Sequence, residues 1–209
     1  MHLDVFTIEN ISQNKSEISE ALGTKEKFWF HHPSLGHCLF KYTRTNTGED
    51  WAEKIASELC QILALPHAKY EFAVCNGRRG IISPTILIDK SELVHGNEIL
   101  IGKRPDYLSN SSKSNFHMTK HTLGLVLKST SAFYDKETDR KPLTTVEAFS
   151  NAANLHPNAA NIWLSRLKTI SDKDLDSLFN RIPNHLISNT SIDFAQKMLY
   201  INKNRLLSL

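Results

Sequence analysis

The sequence predicts an α+β protein: a β-rich N-terminal half carrying one helix, then an all-helical C-terminal half. Three observations predict it. Short apolar runs bounded by Pro/Gly turns crowd the region before residue 105, and apolar residues at helical spacing fill the region after 119. Between them lies a polar, serine-rich stretch, "PDYLSNSSKSN". The expected division is an N-lobe over 1–104, a linker over 105–118 and a helical C-lobe over 119–209.

The elements follow in order. "KFWFHH" (27–32) and "HCLFKY" (37–42) flank "PSLG" and read as a β-hairpin. A helix is expected to start between Thr47 and Asp50, where polar and acidic residues suit a helix N-terminus. Trp51, Ile55, Leu59, Ile62 and Leu63 form its apolar stripe, and Pro66 closes it. "KYEFAVC" (69–75) alternates like a strand, "NGRRG" reads as a turn, and Ile81–Ser83 returns as a strand. A further short strand is expected over Glu98–Ile101.

Helical spacing then runs through His121–Phe133. Thr144 with Glu147 three residues on has the form of a capping box, so a helix is expected over Thr144–Leu155. Asn158–Leu167, Ser171–Arg181 and Ser191–Leu207 complete the helical half.

Composition narrows the function. The chain has 209 residues, enough for one ordinary domain or two small lobes. A formal charge of +3 is too mild to argue for nucleic acid. No apolar run reaches the roughly 20 residues that span a bilayer, and no secretory signal is visible, so a cytoplasmic protein is expected. The three cysteines, Cys38, Cys60 and Cys75, are sparse and odd in number and read as small core residues, not a disulfide scaffold. His117 and His121 share a helical spacing but have no patterned third ligand, so no metal site is expected. There is no Walker A, G-x-S-x-G or G-x-G-x-x-G motif.

Lys41 is the informative residue. It lies inside a strand-like run, on the face of Leu39 and opposite Cys38, Phe40 and Tyr42. A lysine there needs an anion or a carboxylate, unless it snorkels from a sheet edge. Glu49, Glu53 and Glu58 all lie on the following helix. Glu53 is the expected partner, flanking the stripe beside Ala52 and Ala56, whose small side chains would allow close approach to a sheet.

The order of hairpin, helix, strands, linker and helices is also that of a protein kinase. "LGTKEKFWF", "LFKYTRTNTGEDWAEKIASELCQILALPHAKYEFAV", "GRRGIISPTIL" and "LVHGNEIL" resemble the N-lobe of the HipA-like serine/threonine kinases, in particular the HipT/CtkA-type branch. "KPLTTVEAFSNAANLHPNAANIWLSRL", "LFNRIPNHLIS" and "FAQKMLYINKNRLLSL" resemble their closing helices. The resemblance implies a shortened two-lobed kinase-like fold and toxin–antitoxin-like ancestry. It makes Lys41 the nucleotide-phosphate lysine, Glu53 its helix partner, and Gly23, Lys25 and Lys27 of "GTKEK" part of a phosphate-covering loop. Ser16 and Ser19 lie slightly upstream, and related kinases autophosphorylate serines near this loop.

The middle of the chain departs from that family. Its members carry a segment resembling Asn-x-Asp-Arg-His-x-x-Asn, then a second aspartate that holds Mg²⁺. Here "HTLGLVLKSTSAFYDKETDRKPLTTVEAF" offers only "TDR", with no histidine after it and no asparagine before Asn151. The expectation is a catalytically inactive, pseudokinase-type binding or regulatory module. Its ligand would be ATP. Its partner would be a protein: antitoxin-like, a kinase relative or a kinase substrate. The alternative is an active kinase with a rearranged site built on Asp135 or Asp139, which alone would require Mg²⁺. A third reading is a remnant with no ligand.

Overall fold

The computed structural model describes residues 4–12, 16–19, 25–87, 91, 94, 131, 133–135 and 140–209. Among the described residues six strands are present: β1 (Ile8–Ile11), β2 (Ser16–Ser19), β3 (Lys27–His32), β4 (Gly36–Tyr42), β5 (Glu71–Cys75) and β6 (Arg78–Pro84). The helices are α1 (Glu49–Ile62), α2 (Thr145–Leu155), α3 (Pro157–Thr169), α4 (Asp172–Asn180) and α5 (Asn189–Leu207). The architecture is α+β, as the sequence predicts. The strand expected over Glu98–Ile101, the 105–118 linker and nearly all of the His121–Phe133 helix lie outside the described residues, and Phe133 itself is not helical.

The strands form one sheet in the order β1-β5-β6-β4-β3-β2. β1 runs parallel to β5, and the other pairs are antiparallel. β3 and β4 make the expected hairpin, with Lys27 opposite Lys41 and Phe28 opposite Phe40. The turn in "NGRRG" is confined to Asn76 and Gly77, both at positive φ (50° and 73°), as a two-residue hairpin turn requires. Arg78, Arg79 and Gly80 already belong to β6. Gly80 is fixed by crowding: a Cβ there would lie 2.4 Å from the Phe40 ring and 2.6 Å from the Lys41 carbonyl oxygen. β1 and β2 were not expected; each is four residues long, too short for a periodicity to show.

Strand alternation sorts the side chains. Phe28, Phe30, Cys38, Phe40, Tyr42, Ala73, Cys75 and Ile82 pack together, with Phe28 stacked on Phe40 at 5.0 Å between ring centres. The second core joins the two ends of the chain: Phe6 and Phe72 meet Trp51 and Ile55 of α1, Leu178 and Phe179 of α4, and Ala195 of α5. Leu59 packs against this core, whereas Ile62, expected in the stripe, is 47% exposed at the helix end. Ala52 and Ala56 are exposed and do not face the sheet, contrary to expectation. Lys54 and Ser57 occupy the buried side instead.

The C-terminal helices start where their caps dictate. The Thr144 side chain accepts from the Glu147 amide, and Glu147 accepts from the Thr144 amide, completing the expected box. Ser171 and Asp174 repeat the device on α4. α4 and α5 are joined by Asp176, which accepts from Gln196 and Tyr200. Among the described residues no helix is long and apolar enough to cross a membrane.

Candidate functional site

Lys41 sits in the middle of the row Lys27–Lys41–Ile81–Phe72, formed by direct cross-strand neighbours on β3, β4, β6 and β5. Opposite residues of adjacent strands share a face, so this row lies on the side of the sheet that carries Phe72 against α1. The Lys41 side chain is 21% exposed. Its Nζ donates to Glu53 Oε2 at 3.3 Å and to the Tyr70 hydroxyl at 3.1 Å, and lies 4.8 Å from the Tyr70 ring centre.

Glu53 is shared. Its other oxygen, Oε1, accepts from Lys25 Nζ at 3.0 Å. Lys25 also pairs with Glu49 at 3.3 Å, and Glu49 accepts from Arg44 Nη1 at 3.1 Å. The result is a ladder, Lys41–Glu53–Lys25–Glu49–Arg44, along one side of α1. Burial pulls the Lys41 pKa down, but the Tyr70 hydroxyl and the Glu53 charge together hold it above the ordinary lysine value of 10.5. Lys41 is therefore a fixed cation at neutral pH.

Lys27 has no ion pair among the described residues and stands directly opposite Lys41. Like charges facing each other across strands destabilise a sheet, so this placement costs the fold something. Lys25 and Lys41 thus share Glu53, and Lys27 starts from the same face of the sheet directly opposite Lys41. An oxyanion placed there would relieve the repulsion.

Asp135 and Glu58 stand apart from this group. Gly23 and Asp139 lie outside the described residues, as do His117 and His121. Asp135 is exposed and accepts from the Asn151 amide at 3.3 Å; it makes no contact with Lys41. Glu58, the third carboxylate offered by α1, is used elsewhere: it pairs with Lys54 at 2.7 Å and Arg181 at 3.2 Å. Among the described residues no three His, Cys, Asp or Glu side chains gather to hold a metal. Cys38 and Cys75 are buried and all three cysteines are free. Burial lifts the Cys38 thiol to about 11, away from thiolate chemistry.

Sequence reasoning missed Tyr70 and two charge clusters. Tyr70 precedes β5 by one residue, and the alternation of "KYEFAVC" places it with Phe72; that was the available signal. Lys54 is 2% exposed, between Glu58 and Glu71 (both 2.7 Å), and its ammonium lies over the Phe6 ring. Only the Glu58 spacing of i, i+4 was visible beforehand. Asp50 is 1% exposed and accepts from Arg79 Nε at 2.9 Å and Nη2 at 2.6 Å; nothing local predicts that pair.

No protein-family model matches the sequence, and no curated protein matches it. Solved structures do. The crystal structure of a proinflammatory kinase from Helicobacter pylori, CtkA, superposes with a TM-score of 0.64 at 11% sequence identity. The match covers 97% of this chain and 96% of that one. At that identity the likeness defines the fold: this chain has a kinase-like fold, with a sheet-and-helix N-terminal part and a helical C-terminal part.

Proposed function

We propose that the protein is a HipA-like pseudokinase: a binding module that takes nucleotide phosphates at Lys41 and does not transfer them. The observation that carries this reading is the Lys41–Glu53 pair on adjacent elements of a kinase-like fold, with Lys25 and Lys27 beside it. Glu53 and Tyr70 hold the Lys41 ammonium at a defined point, which is what a phosphate-binding lysine needs. The sequence lacks the asparagine-and-histidine-containing segment that would orient an acceptor hydroxyl and ligate Mg²⁺. Binding without transfer follows, because positioning and charge stabilisation supply most of this chemistry's acceleration. Such a module acts through a protein partner: an antitoxin-like protein, a kinase relative or a kinase substrate.

Calorimetry with ATP, with and without Mg²⁺, tests the reading. Weak binding that is indifferent to Mg²⁺ is expected. Lys41→Ala should weaken it about 10- to 100-fold, the value of a charge-assisted hydrogen bond of roughly 1.5–3 kcal/mol. No heat in either titration contradicts the reading and leaves a ligand-free remnant.

One observation favours a second reading, an active serine/threonine kinase with a rearranged site. Asn151 and Asp135 pair an amide with a carboxylate, the two groups a kinase uses around its metal. Asp135→Asn and Asp139→Asn would silence such an enzyme and leave a binding module unchanged.

A further inference from the structure

We infer that a second anion site, built to take a phosphate monoester, lies in the cleft between the 43–48 loop, the Gly77 turn and the 184–191 segment. The cleft has a volume of about 810 Å³, and among the described residues no Asp or Glu lines it. Three arginines do: Arg44, Arg78 and Arg79. Lys41 is not among its walls, so this is a different place from the proposed nucleotide site.

Arg79 is the anchor. Asp50, 1% exposed, holds its Nε and Nη2 from behind, and Nη2 also donates to the Leu186 carbonyl at 2.7 Å. Those bonds leave Nη1 unused, while the side chain stays 38% exposed in the cleft wall. The buried carboxylate and the Leu186 carbonyl thus fix the guanidinium, and Nη1 remains to donate a charge-assisted hydrogen bond to an oxyanion in the cleft. Arg78 is held less firmly. Its pair with Glu26 (2.8 Å) is exposed on both sides, so it costs little to trade for a ligand. Arg44 is held by Glu49 at 3.1 Å. Each arginine already has one carboxylate, so net charge contributes little. Selectivity comes from directed N–H groups.

The far wall fits the same ligand. Ser188 caps the 19-residue α5, and Ser191 is its third residue; both line the cleft. α2 and α4 carry a carboxylate at that third position, Glu147 and Asp174. α5 carries Ser191 there and no acid in its first turn, so the positive end of its dipole reaches the cleft uncompensated. A phosphate could come from a phosphorylated serine or threonine of a partner, or from a small phosphorylated molecule. The chemistry recognised is the same.

The test is nuclear magnetic resonance on the full chain, titrated separately with inorganic phosphate, a phosphoserine peptide, its unphosphorylated twin, and ATP. Shifts are expected at the Gly48, Ser188 and Ser191 amides and at Arg79 Nε. They should persist in Lys41→Ala, which separates this site from the nucleotide proposal. The phosphopeptide acting alone identifies a phosphoprotein as the source; ATP acting on Lys41→Ala identifies a small molecule; either supports the site. Ser191→Glu is the decisive variant. It should complete a capping box with Ser188, keeping or raising the melting temperature, while putting a carboxylate into the cleft and weakening phosphate at least tenfold. Arg78→Gln should weaken it at least threefold. No shifts at millimolar phosphate, or shifts that Ser191→Glu leaves intact, overturn the inference.

Discussion

Replacing Lys54 with Met should cost the fold about 3 kcal/mol, the lower end of the roughly 3–5 kcal/mol for breaking a buried ion pair. The size follows from the surroundings. Lys54 is 2% exposed, and its ammonium lies 2.7 Å from both Glu58 and Glu71 and 4.5 Å from the Phe6 ring centre. Met keeps the buried stem and removes only the charge. Glu58 would still have Arg181 at 3.2 Å, and Glu71, 37% exposed, can turn to water. Those two outlets set the cost at the low end. For a chain of this length about 3 kcal/mol corresponds to a fall in melting temperature of roughly 6–12 °C. Urea denaturation at fixed pH, with the slope unchanged, measures it directly. Adding Glu71→Gln to Lys54→Met should recover part of the loss. A loss below about 1 kcal/mol, the range of surface pairs, would refute the reasoning and make Lys54 an ordinary solvated lysine.

Three further outcomes can be checked together. Gly80→Ala should destabilise by about 1–3 kcal/mol, because the new methyl must displace the Phe40 ring or the Lys41 backbone; urea unfolding reads this, and a neutral result would contradict the packing. Hydrogen bonds from Thr144 and Ser171 hold the Glu147 and Asp174 carboxyls below their ordinary values of 4.5 and 3.8. A depressed folded value means the stabilisation is present above the ordinary value and lost as pH falls through the folded one. Helical circular dichroism should therefore fall at lower pH in the wild type than in a Thr144→Ala, Ser171→Ala double variant. Thr43→Val should leave stability unchanged or raise it, since Thr43 Oγ1 is buried and has no hydrogen-bond partner among the described residues; a clear loss in thermal unfolding would show that the hydroxyl has one.

Local patterns carried much of this fold in the sequence. The β3–β4 hairpin, α1 and the α2 cap all announce themselves within about a dozen residues, through turn chemistry, a stripe or a box. β1 does not: it is defined by parallel pairing with β5, some 60 positions away, and a four-residue strand shows no period. The site divides the same way. Alternation placed Lys41 on the face of the sheet turned toward α1, and Glu53 meets it there. Lys25's claim on the same carboxylate depends on how the chain enters β3. Ala52 and Ala56 face solvent, contrary to their apolar character, because buried charges occupy the sheet-facing positions that composition assigns to solvent. Lys54 and Asp50 are tolerated inside only because Glu71 and Arg79 arrive from the sheet.

The most direct measurement is phosphate transfer from γ-labelled ATP with Mg²⁺, in the wild type and in Lys41→Ala, with and without an added protein substrate. A binding module leaves both proteins and the substrate unlabelled. Label that appears in the wild type and disappears in Lys41→Ala contradicts a pseudokinase and establishes a working kinase.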